Sequence, residues 1–352
     1  MRGLGALLGL PLRARPPVGT TPADVVFAEN KWRLLRYRPR PAGPAFRTPV
    51  LLVPSLINRH YVLDLLPGKS FAEWMVAAGH DVYCIDWGTP GDEDRFVSFD
   101  DVADRWIGRA LRRVQRAAER PPHVLGYCLG GTLATIHCAA HNGRAASLAL
   151  LAAPVRFSDP GLLTAWTRTR SFDVRALVDA WGNVPWPLMQ SAFQLLRPTM
   201  GLAKLVSVLD RAWTDELLDG FLALETWGND NVSFPGECYV TYLEELYRKD
   251  ALWQGSFHLG GRRARLEAID CPTLAVTFEH DSIVPWPSAA CLLERVASAD
   301  KHHLHLPGGH VGAVVSRAAA RELWPAISRF WSDRDGARAK PARRPARPRE
   351  RP

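Results

Sequence analysis

Residues 124–131 read Val-Leu-Gly-Tyr-Cys-Leu-Gly-Gly. This Gly-x-Cys-x-Gly pentapeptide lies between a short apolar run, His123 to Leu125, and a helix-forming run, Thr132 to Ile136. It predicts a sharp strand-to-helix turn. Gly126 and Gly130 leave room for strained backbone, and the central side chain is thrust out at the top of a sheet. Such a turn is a nucleophile elbow, with Cys128 where serine usually stands. A thiol there forms a thioester when acylated, and that bond stays activated toward a further alcohol. The competing reading of Cys128 is a structural thiol, because free cysteine is among the most buried residue types.

The partners of an elbow nucleophile follow in the order acid, then histidine. Leu274 to Phe278 reads as an apolar strand, and Asp281 follows in the loop at its C-terminal end, where open α/β sheets place their sites. Asp281 could equally cap a turn, and Glu279 is a weaker candidate for the acid. His303 to Leu306 alternates like a last strand, and His310 then sits among Gly308, Gly309 and Gly312, where a flexible backbone can aim a ring. An imidazole beside a thiol favours thiolate at neutral pH. Asp281 would hold the ring's tautomer. The oxyanion hole is expected from the backbone N–H of Leu129 and a second N–H, at Leu56 or Ile57, in the loop after the strand Val50–Val53. Of these two, Ile57 is preferred. His302, His303 and His305 read as surface or strand residues. No His/Cys pair has zinc spacing, so no metal is expected.

Short apolar segments (Val50–Val53, Val82–Ile85, Ser147–Ala152) alternate with amphipathic ones, Ser70 to Ala78 and Asp100 to Arg120. Such alternation predicts an α/β fold with a mostly parallel central sheet. The expected core comprises 21–154 and 266–332. Residues 155–265 are helix-like and Trp-rich (Trp166, Trp181, Trp186, Trp213, Trp227, Trp253) and are expected to form a cap that excludes water. Most of these rings should serve packing. Asn58, Arg59, Asp86-Trp87-Gly88 and Asn229-Asp230-Asn231 read either as site-lining groups or as polar turns.

Several blocks in fixed order resemble the polyhydroxyalkanoate synthases, and most closely the short class III catalytic subunit within the α/β-hydrolase superfamily. These blocks are the Cys128 elbow with its double glycine, Leu56 to Leu65, Asp81 to Gly88, Trp181 to Pro185, Trp227 to Asn231 with Phe234 to Glu237, Asp281 to Pro285, and Gly308 to Gly312. The resemblance spans roughly Thr20 to Trp331. It implies that Cys128 carries the acyl chain and that Asp281 and His310 are its partners. The implied substrate is an (R)-3-hydroxyacyl coenzyme A thioester, which is polymerised with release of coenzyme A and without a cofactor. It also implies a growing polyester, a second non-catalytic subunit and a cytoplasmic location at polyester granules, and it leaves homodimer formation open. Leu129 stands where the class III enzymes usually carry glutamine, and Ser282 where the family commonly has histidine. A cysteine hydrolase or polyester depolymerase, and a non-catalytic granule-associated paralogue, are the alternatives at this point.

The formal net charge is +8. From Gly336 onward there are seven basic residues and one acidic, leaving 37 basic against 35 acidic in the body. The Pro/Ala/Arg-rich tail, 333–352, is expected to be disordered, with no specific nucleic-acid partner. Residues 1–20 are expected to be flexible; the apolar run Leu4–Leu12 is too short for a signal peptide, and no window approaches a membrane span. The six cysteines are scattered without CxxC pairs and are expected to be reduced.

Overall fold

A computed structural model describes residues 14–159, 161–169, 171–195 and 215–335. The apolar run Leu4–Leu12, Trp213 and the basic residues after Asp335 lie outside them. The strands are β1 (Ala23–Glu29), β2 (Trp32–Tyr37), β3 (Val50–Val53), β4 (Val82–Asp86), β5 (His123–Tyr127), β6 (Ser147–Leu151), β7 (His258–Leu259), β8 (Arg262–Arg263), β9 (Thr273–Phe278) and β10 (Lys301–Leu306). The helices are α1 (Phe71–Ala78), α2 (Ile107–Ala118), α3 (Leu129–Ala140), α4 (Leu162–Thr167), α5 (Val174–Trp181), α6 (Trp186–Leu195), α7 (Asp215–Asn229), α8 (Gly236–Thr241), α9 (Trp286–Ala290), α10 (Leu292–Arg295), α11 (Gly312–Val315) and α12 (Trp324–Ser332).

Eight strands form one sheet in the order β1-β2-β4-β3-β5-β6-β9-β10. From β4 to β10 every neighbour is parallel, whereas β1/β2 and β2/β4 are antiparallel. Strands β3, β4, β5, β6 and β9 are buried along their whole length. Their residues are apolar on both faces because helices cover both sides of a parallel sheet. In β3, Leu51 and Val53 pack into one apolar core while Val50 and Leu52 pack into the other, the two-residue period of a strand. Fully buried Trp32 belongs to the first core, and fully buried Trp324 and Trp331 to the second.

Strand β3 lies between β4 and β5, so the chain winds outward in opposite directions from the β3/β5 boundary. That reversal leaves a crevice at the carboxyl ends of the strands, where open α/β sheets bind ligands. The loop after β3 and the turn after β5 both open into it.

Several local expectations needed adjustment. The Asp100–Arg120 helix starts as a π-helical turn, Asp101–Trp106, and ends at Ala118. The expected helix-like stretch 155–265 also contains the short hairpin β7/β8. At the C-terminus the chain remains packed through Asp335. Arg334 pairs with Asp300 (2.6 Å), and the Asp335 carboxylate accepts from the backbone N–H groups of Arg47 and Thr48 (3.0 and 2.6 Å). Near the other end, Gly19 donates its N–H to the Asp64 carbonyl (2.9 Å), inside the stretch expected to be flexible. Among the described residues, no helix is long and apolar enough to cross a membrane.

Candidate active site

Cys128 directly follows β5 and serves as N-cap of α3 with φ 53° and ψ −129°. A non-glycine residue at positive φ carries strain, which persists only where the surroundings enforce it. Here the Cys128 N–H donates to the Leu151 carbonyl of β6 (3.0 Å), and the Cys128 carbonyl accepts from the Gly131 N–H (2.9 Å). The neighbouring glycines make the turn possible. A Cβ on Gly130 would overlap the carbonyl oxygens of Val53 and Pro54, and one on Gly131 would overlap the Ala153 side chain. The start of α3 is thereby pressed against the loop that leaves β3. The Cys128 side chain remains partly accessible, whereas Cys84, Cys138, Cys238 and Cys291 are buried. Burial raises all four of those thiols above their ordinary range, so among them no second reactive sulfur is built.

The β9 strand delivers Asp281, and the loop after β10 delivers His310. The His310 Nδ1 is 2.7 Å from Asp281 Oδ2, and both side chains are buried. The other carboxylate oxygen of Asp281 accepts from the N–H groups of Ile283 and Val284 (2.9 Å each), which locks the acid. Ser282, the departure from the family pattern, contributes no side chain to this lock. Glu279 points elsewhere: its carboxylate is more than half exposed and lies 4.0 Å from His280. The Tyr127 ring stacks against His310 with centroids 5.4 Å apart. Burial acts to lower the His310 pKa, but the Cys128 sulfur and the Asp281 carboxylate outweigh it, raising the pKa to about 10. The imidazole therefore interacts with Cys128 on one side and Asp281 on the other.

Leu129 opens α3, where first-turn N–H groups have no intrahelical acceptor. Its side chain is buried in the core, so only its backbone can serve the site. Ile57 lies in the loop after β3, and that loop is clamped from outside. The Trp87 indole donates to the Pro54 carbonyl (2.9 Å), and the Trp227 indole to the Arg59 carbonyl (3.0 Å). Asp230 accepts from the Arg59 guanidinium (3.0 Å) and the Tyr61 hydroxyl (2.7 Å), while the Asn58 amide donates to Asn231 (2.7 Å). Asp86 binds His60 (3.3 Å), Arg33 (2.5 Å) and the Gly88 N–H (3.1 Å). These contacts hold the Asp86 carboxyl well below the carboxylate range despite its burial. Of the polar residues read from sequence as turns or site-lining groups, Asn58, Arg59, Asp230 and Asn231 thus fasten the β3 loop to the end of α7, while Asp86 and Trp87 tie that loop to the end of β4.

Sequence reasoning missed Tyr242 and Tyr247. Tyr247 is buried and Tyr242 partly so, their rings meet edge-on with centroids 5.3 Å apart, and desolvation raises the pKa of each phenol, with the Cys128 sulfur adding to the rise. Phe157 packs edge-on against both rings. The tyrosines at 239, 242 and 247 were visible as an aromatic cluster, but nothing in their spacing placed them near residue 128. A small cleft beside them is bounded by Phe157, Leu163, Tyr247, Ile283 and Pro285, alongside the Asp281 loop. The tryptophans of the 155–265 stretch divide: Trp227 is buried, whereas Trp181 is 65% exposed.

A positioned thiol, an imidazole and a locked carboxylate form a geometry suited to acyl transfer. The family described as alpha/beta hydrolase fold matches residues 48–315, and the one described as the poly-beta-hydroxybutyrate polymerase (PhaC) N-terminus matches residues 16–75. Among solved structures, a soluble variant of monoglyceride lipase from Saccharomyces cerevisiae superposes with TM-score 0.57 at 12% identity, covering 92% of this chain and 97% of that one. A Paleococcus ferrophilus monoacylglycerol lipase gives TM-score 0.52 at 18% identity, over 83% of this chain and 96% of that one. These likenesses speak for the fold. In sequence, the poly(3-hydroxyalkanoate) polymerase subunit PhaC of Allochromatium vinosum is 32% identical over 320 residues, covering 90% of each chain. The subunit of the same name from Haloferax mediterranei is 33% identical over 320 residues, and this chain spans 90% of its own length but 65% of that relative's. The chain belongs to the PhaC family of poly(3-hydroxyalkanoate) polymerase subunits, on the α/β-hydrolase fold.

Proposed function

We propose that this chain is an acyltransferase that polymerises (R)-3-hydroxyacyl units from coenzyme A thioesters through an acyl-cysteine at Cys128. The observation that carries the reading is the strained elbow at Cys128, with the Asp281-bound His310 interacting with it, in a PhaC-family chain. His310 takes the thiol proton, and the sulfur attacks the thioester carbonyl. The tetrahedral oxyanion is met by the N–H groups of Leu129 and Ile57, and coenzyme A leaves with the proton from the imidazolium. His310 then takes the proton of a 3-hydroxyl, whose oxygen attacks the acyl-cysteine. The new C–O bond extends the polyester by one unit as the C–S bond breaks and the thiol is restored.

Transfer between two thiols is close to thermoneutral, while transfer from thioester to alcohol is downhill. Elongation therefore needs no further energy source, and this chemistry calls on no cofactor. The segment between β6 and β9 acts as a cap that keeps water from the acyl-cysteine, which separates polymerisation from hydrolysis. The partners in this reading are the growing polyester, a second non-catalytic subunit and, for chain growth across two sites, a second copy of the chain. The place of action is a polyester granule surface.

The test supplies purified protein with 3-hydroxybutyryl-coenzyme A, with and without a helper subunit, and follows released thiol and insoluble polymer. Polymer and thiol in step support the reading. Release of free 3-hydroxyacid alone would assign a hydrolase, and no release under either condition would remove the enzyme.

A further inference from the structure

On the far side of α3 from Cys128, His137 and His141 stand one turn apart and face Asp104 of the π-helical turn Asp101–Trp106. One ligand atom from each of the three lies within 4.8 Å of the other two. The His137 Nδ1 is 2.8 Å from the Ala103 carbonyl, so this nitrogen carries the hydrogen and donates it. That bond leaves Nε2 as a bare electron pair, and Nε2 has no hydrogen-bond partner although His137 is only 2% exposed. A buried unpartnered polar atom requires an explanation. A metal-bound histidine typically has this form, its Nδ1–H anchored to a backbone carbonyl and its other nitrogen left open for the ion.

We infer that His137, His141 and Asp104 form a binding site for a divalent transition-metal ion of the zinc class, with water in the fourth position. Two imidazole nitrogens and one carboxylate oxygen suit zinc far better than the hard cations magnesium or calcium. Zinc bonds of ~2.1 Å put tetrahedral ligand atoms about 3.4 Å apart, so closure needs side-chain movements of about an ångström. His141 now bonds Asp104 (Nε2 to Oδ1, 2.6 Å), a contact the ion would replace by coordination. Arg112 and Arg144 also face this cluster and oppose a cation, which limits affinity without removing a ligand. The ion would staple the elbow helix to the turn before α2. His137 is about 12 Å along α3 from Leu129 at about 1.5 Å per residue, so the ion would act on structure and leave the chemistry at Cys128 untouched.

The sequence shows two of the three ligands, since His137 and His141 are four apart. Asp104 joins them only through packing, which is why no metal was expected from His/Cys spacing.

The experiment uses untagged full-length protein carrying Cys128→Ser and Cys271→Ser, so that neither partly accessible thiol can compete for metal. Titration with Co²⁺ is expected to saturate at one ion per chain with visible d–d absorption and no sulfur-to-cobalt charge-transfer band. Zn²⁺ should displace it and raise the melting temperature with the logarithm of its concentration. His137→Gln, and independently the milder surface-side variants His141→Gln and Asp104→Asn, should each weaken binding at least tenfold while circular dichroism remains unchanged. Absence of a bound ion, a thiolate band, an equal effect of Mg²⁺, or unaltered binding in correctly folded His141→Gln and Asp104→Asn would each overturn the inference.

Discussion

At the scale of single residues, the reaction proposed here rests on one sulfur and one proton carrier. Cys128→Ala should abolish both coenzyme A release and polymer while leaving the fold intact, because the side chain is only partly packed. Asp281→Asn keeps the shape of the lock but loses the carboxylate that fixes the His310 tautomer. We expect kcat to fall by about 10³–10⁴-fold, as loss of the orienting acid does in the Ser-His-Asp template, with melting temperature as the control. Glu279→Gln should change neither quantity. His310 holds its proton well above the usual imidazole range because Cys128 and Asp281 outweigh its burial. The alkaline limb of kcat/KM should therefore lie well above pH 6.5, and Asp281→Asn should move it toward lower pH. A limb at the ordinary imidazole value in the unaltered chain would contradict this electrostatic account.

At the scale of elements, the site is assembled where α3 meets the loop after β3. Gly130 permits that contact, since any Cβ there would overlap the carbonyls of Val53 and Pro54. Gly130→Ala should destabilise the protein by about 1–3 kcal/mol, the usual cost of overpacking, and should lower activity further by shifting the Leu129 N–H. Urea denaturation together with the polymerisation assay would reveal both effects. The opposite side of the same loop is fastened to the end of α7 by Asp230. Asp230→Ala removes the acceptor of both Arg59 and Tyr61. Its expected signature is faster proteolytic cleavage around residues 57–61 together with reduced kcat. Unchanged protection of that loop would show that the tryptophan clamps suffice.

For the whole molecule, three buried histidines set the acid limit of stability. Burial lowers the pKa of His80 to about 4, of His123 to about 3 and of His137 to about 4. In the unfolded chain these rings titrate near 6.5. Between pH 6.5 and about 4 the unfolded state thus binds protons that the native state does not, so the contribution of these three rings is full above 6.5 and is lost as pH falls through this window. Each ring contributes a slope of up to about 1.4 kcal/mol per pH unit. Chemical denaturation at pH 7.0 and 5.0 should show the loss, and His123→Asn should reduce its pH dependence by about one proton. Stability that does not change across this interval would refute the assignment.

The sequence by itself determined the elements and the elbow. Short apolar runs alternating with amphipathic helices read as interior strands, Gly126 and Gly130 around Cys128 favour a tight turn, and Asp281 and His310 each follow a strand end. These are local consequences of side-chain size, backbone freedom and burial, and they are readable without contacts. Tertiary structure alone decided which distant groups meet: Asp281 rather than Glu279 on His310, Asp230 on Arg59 and Tyr61, Tyr242 and Tyr247 near Cys128, Asp104 beside His137. Each pairing joins residues separated by tens to more than a hundred positions, brought together by strand order and helix packing. Polar side chains in loops carry no periodicity that announces their partners, so only the folded chain reveals them.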